Sequence, residues 1–239
     1  MQRYFIKKDQ LIDGIVSIGK QDYFHITAVM RMKVFDKIII CFSNKESYLS
    51  QIVEINKKNV LVKLNEELNE NNELKNEIQL AHALVKQPKQ EEVIKRIVEL
   101  GAKSYQCVKL LHCINTINYV NMDRMNLIIK EASEQSCRNE LLEYKNMISL
   151  DEYIKDSSIF TNKLFAYEKA KNLLDFKNDL KNGSTSVLVG PEGGFSIEEV
   201  NKLIKANFTP FSLGRRILRT ETAAIHVISL LTNHYEAEK

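Results

Sequence analysis

Residues 186–196 read Ser186-Val-Leu-Val-Gly190-Pro-Glu-Gly-Gly-Phe-Ser196, and this stretch decides the fold class. The apolar residues before Gly190 predict a short buried strand, and the glycines after it predict a loop whose backbone a ligand can approach closely. Ser196 and Glu199 have the spacing of a capping box, which indicates that a helix begins directly after the loop. A strand, a glycine loop and a helix in this order are typical of α/β folds.

The glycine loop argues against two classes of ligand. It matches neither the Gly-x-Gly-x-x-Gly pattern nor the P-loop, because no Gly-Lys-Ser/Thr follows it. A dinucleotide or a nucleoside triphosphate is therefore disfavoured. Taken alone, the loop fits a tight turn without any ligand equally well.

A second stretch repeats the order of strand, glycine and helix. It reads Phe211-Ser-Leu-Gly214-Arg-Arg-Ile-Leu-Arg-Thr220-Glu-Thr-Ala-Ala224. Thr220 has the position of an N-cap, and Glu221 would lie in the first helical turn, where a carboxylate interacts favourably with the helix dipole. Two interpretations stay open here. The three arginines are either solvated or part of a binding site.

Strand-like and helix-like segments alternate around these two stretches. Strands are predicted at residues 78–85, 105–111, 164–167, 186–189 and 209–213. Helices are predicted at residues 91–100, ending at Gly101, and in a segment that runs through about Arg138. This alternation predicts a parallel sheet with helices on both faces and ligands bound beyond the carboxyl ends of the strands.

The amino-terminal part of the chain has a different pattern. Residues 37–42 and 59–64 are short β-rich runs between turn residues, which predict a small β-barrel with little helix. Residues 1–63 contain eleven Lys or Arg and six Asp or Glu, a net charge of +5 that fits an RNA-binding surface. Residues 64–77 are mostly Asn and Glu, so we place a domain boundary there.

The composition of the 239 residues, 44% of them hydrophobic, is enough for real hydrophobic cores. The first residues do not resemble a signal sequence, and no apolar run approaches the length of a membrane span, so we expect a cytoplasmic protein. The cysteines lack metal-ligand spacing, so we expect reduced, buried thiols and no metal site. They are Cys41, Cys107, Cys113 and Cys137.

Residues 188–196 and 213–223 resemble the signature motifs of the ribosomal RNA small-subunit methyltransferase E family, within the SPOUT class. Three further segments resemble the family as well. They are residues 25–31, residues 99–101 and the Glu-Ala-x-x-Gln-x-x-Arg pattern of residues 131–138. The resemblance covers nearly the whole chain in the expected order, and the two carboxyl-terminal motifs together are highly specific.

The resemblance implies a fold and an activity. Residues 1–70 would form a PUA-like barrel that binds RNA, and residues 71–239 a SPOUT α/β domain whose chain end threads a trefoil knot. S-adenosylmethionine would bind in the knot, without a metal. The protein would act as a homodimer and methylate N3 of a uridine in 16S rRNA, either free or in the small ribosomal subunit.

The resemblance also implies functional residues. Arg219 would stabilise negative charge on the uracil oxygens, and Glu221 is a candidate proton acceptor. The candidate RNA contacts are Arg3, His25, Arg31, Lys33 and Arg138. The candidate cofactor contacts are Phe165, Ala166, Tyr167, Leu188, Val189, Gly190, Pro191, Glu192, Gly193, Leu213, Gly214, Ile217, Leu218, Thr220, Thr222 and Ala223.

The sequence departs from the family pattern at Arg96, Met125 and Cys137, after Arg138 and in residues 112–119. These positions concern the substrate side more than the cofactor loops. Two other functions stay open: a ribose 2′-O-methyltransferase of the same class, and a non-catalytic RNA-binding or ribosome-assembly factor. The first normally has a carboxyl-terminal motif with Asn and Ser in place of Leu-Arg-Thr-Glu-Thr-Ala, which counts against it here.

Overall fold

The structure is a computed structural model that describes residues 1–42, 45–113, 121–175 and 180–237. It divides into two compact units. The first unit contains residues 1–73 and 133–141, and the second contains residues 74–132 and 142–239.

The first unit is built on a six-stranded sheet in the order β1-β4-β5-β6-β3-β2. Its strands are β1 (Arg3–Phe5), β2 (Leu11–Ile12), β3 (Ile15–Gly19), β4 (Lys37–Cys41), β5 (Ser47–Ile55) and β6 (Asn59–Glu67). Only β1 and β4 among these neighbours run parallel. Alternate side chains, such as Val16 and Ile18 of β3 and Val60 and Val62 of β6, are fully buried and form the core of the sheet.

Helical structure in the first unit is short, as the sequence predicts. Helix α1 (Lys20–Phe24) continues into a π-helical turn at His25–Val29. Turns of this kind often occur at functional sites. Phe24 is 62% exposed and Phe35, which follows the turn, is 74% exposed, so two aromatic rings of this region face solvent.

Residues 133–141 join the first unit through buried polar contacts. The Arg138 guanidinium donates from Nε to both oxygens of Glu73, at 3.0 and 2.8 Å. Arg3 donates from Nη1 to the carbonyl oxygen of Arg138 at 2.9 Å, and the backbone N–H of Phe5 donates to Glu134 at 2.8 Å. The division therefore differs from the expected ranges 1–70 and 71–239, because these contacts depend on tertiary pairing that composition does not indicate.

The second unit is an α/β layer with a wholly parallel six-stranded sheet in the order β12-β10-β11-β7-β8-β9. Its strands are β7 (Ile78–Ala83), β8 (Ser104–Lys109), β9 (Glu143–Ser149), β10 (Asn162–Ala166), β11 (Thr185–Val189) and β12 (Thr209–Phe211). Strand β11 is buried at every residue, as expected for a parallel sheet covered on both faces. The strands predicted for this region are confirmed, with ends that differ by a few residues.

The structure describes five helices of four residues or more in the second unit, and turn and capping residues account for where two of them begin. They are α2 (Gln87–Glu99), α3 (Met122–Gln135, which continues into the first unit), α4 (Leu150–Asp156), α5 (Ile197–Lys205) and α6 (Thr220–Ala237). Helix α2 begins four residues before the predicted start, because Pro88 lies in its first turn, where a fixed φ favours a helix. The predicted capping box of Ser196 and Glu199 is confirmed.

Three local predictions are wrong. Thr220 is the first residue of α6, and its hydroxyl donates to the carbonyl oxygen of Gly190 at 2.6 Å. Helix α3 ends at Gln135, whereas the predicted helix runs through about Arg138. Cys137 is exposed, unlike the other three cysteines, because it occupies the left-handed position (φ 59°) that ends α3.

In the part of the chain that the structure describes, no helix has the length and apolar character needed to cross a membrane. The trefoil knot stays a prediction, since strand order and pairing do not trace the path of the chain through it.

Candidate active site

A cleft of about 480 Å³ lies at the carboxyl ends of three neighbouring strands of the second unit. The segments that follow β10, β11 and β12 form its walls. The residues that line it are Ala166, Tyr167, Glu168, Val189, Gly190, Pro191, Glu192, Gly193, Gly194, Phe195, Ser212, Leu213, Gly214, Arg216, Ile217, Leu218, Arg219, Thr220 and Ala223. This is where a parallel α/β sheet is expected to bind its ligand.

The glycine loop needs its first glycine for a steric reason. A Cβ atom added to Gly190 would lie 2.8 Å from Cε2 of Phe195, closer than real contacts allow. The Phe195 ring is supported from behind by Phe165, with ring centroids 5.7 Å apart and an interplanar angle of 82°. The loop therefore folds back on its own aromatic residue, which leaves the backbone of the loop facing the cleft.

A segment after β8 packs against the same loop. The Nδ1 atom of His112 lies 3.0 Å from the carbonyl oxygen of Gly194, and the N–H of Leu111 donates to Glu199 at 2.8 Å. Glu199 also accepts the N–H of Ser196 in the capping box. Residues 114–120 follow this segment and lie outside the described residues, as does most of the 112–119 departure from the family pattern.

Most of the predicted cofactor contacts line the cleft, but three do not. Phe165 and Leu188 are fully buried within strands β10 and β11. Thr222 is exposed on α6. The prediction included these residues because it took whole motif segments, whereas only part of each segment faces the cleft.

Five lining residues are absent from both the predicted cofactor contacts and the predicted catalytic residues. They are Glu168, Gly194, Phe195, Ser212 and Arg216. All five lie in or next to the loops that the prediction had already selected, and extending two of its segments by one or two residues finds Glu168, Gly194 and Phe195. Ser212 and Arg216 lie within the second motif stretch itself.

Charges of both signs surround the cleft. Glu168 and Glu192 line it together with Arg216 and Arg219, and all four are exposed. Lys89 of α2 donates to Glu192 at 2.8 Å, and this hydrogen bond lowers the pKa of the Glu192 carboxyl. Glu192 is therefore held as an anion at the rim.

Of the two predicted catalytic residues, only Arg219 lines the cleft. Glu221 lies two residues further along α6, and its carboxylate lies 3.3 Å from Nζ of Lys89. The prediction of Glu221 as a proton acceptor does not fit this arrangement, because its carboxylate is paired with a cation outside the cleft.

Below the cleft wall lies a buried chain of polar side chains. His82 of β7 contacts the hydroxyl of Thr220 through Nε2 at 2.9 Å and the hydroxyl of Tyr105 through Nδ1 at 3.2 Å. Burial lowers the pKa of His82 to about 4, so its ring is neutral at neutral pH. No sequence pattern selects His82, since a single histidine in a strand is usually structural.

The five predicted RNA contacts separate into two groups. Arg31 and Lys33 are exposed, and His25 is half-buried with Nδ1 3.0 Å from the hydroxyl of Tyr4. Arg3 and Arg138 are only 2% and 3% exposed and bind groups of the first unit itself. The contacts of these two guanidinium groups are with protein atoms, so their burial does not favour a role in RNA binding.

The cleft has the properties needed to hold S-adenosylmethionine. Its volume lies within the usual range for small-molecule sites, roughly 300–1,000 Å³. A Cβ atom added to Gly214 would meet no atom within 4 Å, so this glycine borders open space in the cleft. Apolar side chains such as Leu213 and Leu218 suit an aromatic base, and the carboxylates of Glu168 and Glu192 suit a cation such as a sulfonium.

Among the described residues, no group of three or more His, Cys, Asp or Glu side chains is placed to hold a metal ion. The groups of the cleft that could hold a ligand include backbone groups, apolar side chains, the hydroxyls of Tyr167, Ser212 and Thr220, and the four charged side chains named above.

Comparison with known proteins gives the chain relatives over its whole length. Residues 72–232 match the RNA methyltransferase domain family, and residues 18–65 match the RNA methyltransferase PUA domain family. Ribosomal RNA small subunit methyltransferase E of Bacillus subtilis (strain 168) is 31% identical, covering 100% of this chain and 98% of that protein. The protein of the same name from Rickettsia conorii is 30% identical, covering 98% and 97%.

A solved structure agrees with these matches. A methyltransferase of Legionella pneumophila in complex with its bound cofactor SAM is 26% identical, with a TM-score of 0.86, and the match covers 97% of this chain and 96% of that one. The predicted combination of a PUA-like unit and an α/β methyltransferase unit is confirmed. Since the methyltransferase match spans more than half of the chain and a relative above 30% identity covers all of it, the chain belongs to the ribosomal RNA small subunit methyltransferase E family.

Proposed function

We propose that this chain transfers a methyl group from S-adenosylmethionine to N3 of a uridine in 16S rRNA. That it is an S-adenosylmethionine-dependent methyltransferase of small-subunit ribosomal RNA follows from its family. The choice of N3 is the finer part of the proposal. The observation that carries it is the exposed guanidinium of Arg219 on the wall of a cleft that fits the cofactor.

When bound, S-adenosylmethionine supplies an electrophilic methyl group. The chain's own residues must then hold the uracil ring in line with it and stabilise the negative charge that develops when N3 loses its proton. Arg219 can donate hydrogen bonds to a uracil oxygen, and Arg216 lines the same cleft. A ribose hydroxyl carries no such pair of flanking oxygens, which favours uridine N3 over ribose as the nucleophile.

The proton from N3 passes to solvent water in this proposal. Glu221 is paired with Lys89 outside the cleft, and Glu192 has a lowered pKa because Lys89 donates to it. A carboxylate that is held as an anion by a lysine is a weak base. In this proposal the main contribution of the chain is that its arginines stabilise the uracil anion, so that the anion forms more readily.

The proposed RNA surface lies on the first unit, around the π-helical turn. Arg31 and Lys33 are exposed and can pair with phosphates, whereas Phe24 and Phe35 expose rings on which unpaired bases can stack. We place this surface in the 20–37 region, without Arg3 and Arg138. Such a surface favours single-stranded segments of rRNA.

We also propose a homodimer, as the resemblance implies. Ile217 lines the cleft and is 82% exposed, and a second copy of the chain could bury this apolar side chain. Light scattering at micromolar concentration is expected to give twice the chain mass of 27.6 kDa. A monomeric mass would contradict this part of the proposal. Because the substrate is ribosomal RNA, we propose that the protein acts in the cytoplasm.

The test uses ribosomal subunits from a strain that lacks this gene. Purified protein and S-adenosylmethionine are added to small subunits and, separately, to free 16S rRNA, and the nucleosides are analysed by mass spectrometry. The expected product is 3-methyluridine in one of the two reactions. A ribose-methylated nucleoside would support the 2′-O-methyltransferase alternative, and cofactor-independent RNA binding with no product would support the assembly-factor alternative.

A further inference from the structure

We propose that His82 is a positioning residue for cofactor binding. In this proposal its imidazole holds the Thr220 hydroxyl, and through that hydroxyl the Gly190 carbonyl, so that two walls of the cleft keep their shape. The proposal rests on the proposed function, because it takes the cleft as the S-adenosylmethionine site. His82 itself does not line the cleft, whereas Thr220 and Gly190 do.

The distances determine which atoms carry hydrogens on the cleft side of His82. The Thr220 hydroxyl donates its one hydrogen to the carbonyl oxygen of Gly190, at 2.6 Å. Its oxygen, 2.9 Å from Nε2 of His82, must therefore accept. Consequently the His82 ring carries its proton on Nε2, and Nδ1 is an acceptor.

The far side of the ring has matching donors. Nδ1 of His82 lies 3.2 Å from the hydroxyl of Tyr105, which therefore donates to it. The Tyr105 oxygen in turn accepts from Nε2 of Gln90 at 3.2 Å, and the same amide donates to the Tyr144 hydroxyl, also at 3.2 Å. Each hydrogen has one place, so this chain of bonds runs in a single direction from helix α2 to the cleft wall.

Burial makes this arrangement consequential. His82 and Tyr105 are fully buried, Gln90 is 1% exposed and Thr220 is 4% exposed. A hydroxyl that loses its donor in such a site must find another partner or stay unsatisfied. Without His82, the Thr220 side chain is free to rotate away from Gly190, which loosens the link between the glycine loop and the start of α6.

A purely structural role for His82 predicts something different. In that case, any break in the buried chain would weaken cofactor binding only as far as it destabilises the fold. Tyr105 provides the matched control, because it is equally buried and in the same chain but bonds only the side of His82 that faces away from the cleft.

The experiment measures the affinity for S-adenosylhomocysteine by calorimetry and the melting temperature for each variant. His82→Leu is expected to weaken binding by about tenfold or more, since it removes the donor to Thr220. His82→Gln is expected to stay within about threefold of wild type, because its amide can supply the same donor. Tyr105→Phe is expected to lower the melting temperature while the affinity stays within about twofold.

Three results would overturn the proposal. The first is unchanged affinity in His82→Leu, and the second is a loss of affinity in His82→Gln as large as in His82→Leu. The third is a loss of affinity in Tyr105→Phe in proportion to its drop in melting temperature, as a purely structural role predicts. If His82→Leu does not fold, His82→Phe replaces it, because a phenyl ring fills a similar volume without a hydrogen-bond donor. Unchanged affinity in that variant would overturn the proposal as well. If wild-type protein does not bind S-adenosylhomocysteine, this result contradicts the proposed function and not the role of His82.

Discussion

Replacing Arg138 with Met removes the guanidinium that holds the Glu73 carboxylate inside the first unit. Both groups are buried, with side-chain exposures of 3% for Arg138 and 10% for Glu73. Glu73 would keep two donors, the backbone N–H groups of Asn139 at 2.8 Å and Glu140 at 3.1 Å. The carboxylate would therefore lose the cation beside it while remaining buried.

The expected cost follows from this loss of pairing. Breaking a buried ion pair on one side typically costs about 3–5 kcal/mol, and the two remaining N–H donors place Arg138→Met near the lower end. For a chain of this length, that corresponds to a melting temperature lower by roughly 6–12 °C. Glu73→Leu combined with Arg138→Met should recover part of the loss, because no charge is then left buried.

The assay is thermal unfolding followed by circular dichroism, with Lys8→Met as the control. Lys8 forms an ion pair with Glu46 at 3.0 Å, but its side chain is 60% exposed, so the control should lose less than about 1 kcal/mol. If Arg138→Met melts like wild type and instead loses RNA affinity, then Arg138 contacts RNA and the reasoning from burial fails.

Other perturbations test the cleft, the RNA surface and the buried histidine. Arg219→Ala should lower kcat by about 10² with little change in affinity for S-adenosylhomocysteine, and Arg219→Lys should recover little of it, in single-turnover assays. Near-normal turnover would remove Arg219 from catalysis. Neutralising Arg31 and Lys33 together should weaken rRNA binding. The slope of log K against log salt concentration should become shallower by about two. An unchanged slope in filter binding would place the RNA surface elsewhere. His82 is neutral in the fold with a pKa of about 4, below the value of about 6.5 for an unfolded chain, so the unfolded state binds the extra proton. Stability should therefore fall as pH drops from about 6.5 towards 4, by up to about 3 kcal/mol more than in His82→Gln, and identical pH profiles would contradict this.

Local patterns predicted the cleft well, because its parts are local. A strand, a glycine and a helix start follow each other within residues 186–199, and the structure places this segment and residues 211–224 at the same edge of the sheet. Parallel strands share one direction, so their carboxyl ends meet without any further information. The Ser196 and Glu199 capping box likewise depends only on spacing.

Pairings between distant residues could not be predicted in this way. Arg3 belongs to an amino-terminal segment and Arg138 to a family motif. Nothing near them in sequence indicates that Arg138 is buried beside Glu73 or that Arg3 bonds the Arg138 carbonyl. Glu221 fits the dipole of α6, yet its partner Lys89 lies 132 positions earlier, on α2. His82 gains its proposed role only because Thr220 folds against it.

The first unit is built from two separate stretches of chain, residues 1–73 and 133–141, and this affects how it folds during synthesis. Glu73 emerges from the ribosome long before its partner Arg138, because the 64 residues of 74–137 are made in between. At ordinary translation rates of roughly 5–20 residues per second, this interval lasts about 3–13 s. During that time the nascent sheet carries a carboxylate without its guanidinium, and β1 lacks the contacts of Arg3 with residue 138 and of Phe5 with Glu134. The amino-terminal unit therefore cannot form all of its native contacts until residues 133–141 have been synthesised. Because residues 74–132 of the methyltransferase unit come first, the time needed to synthesise them sets when the amino-terminal unit can finish folding.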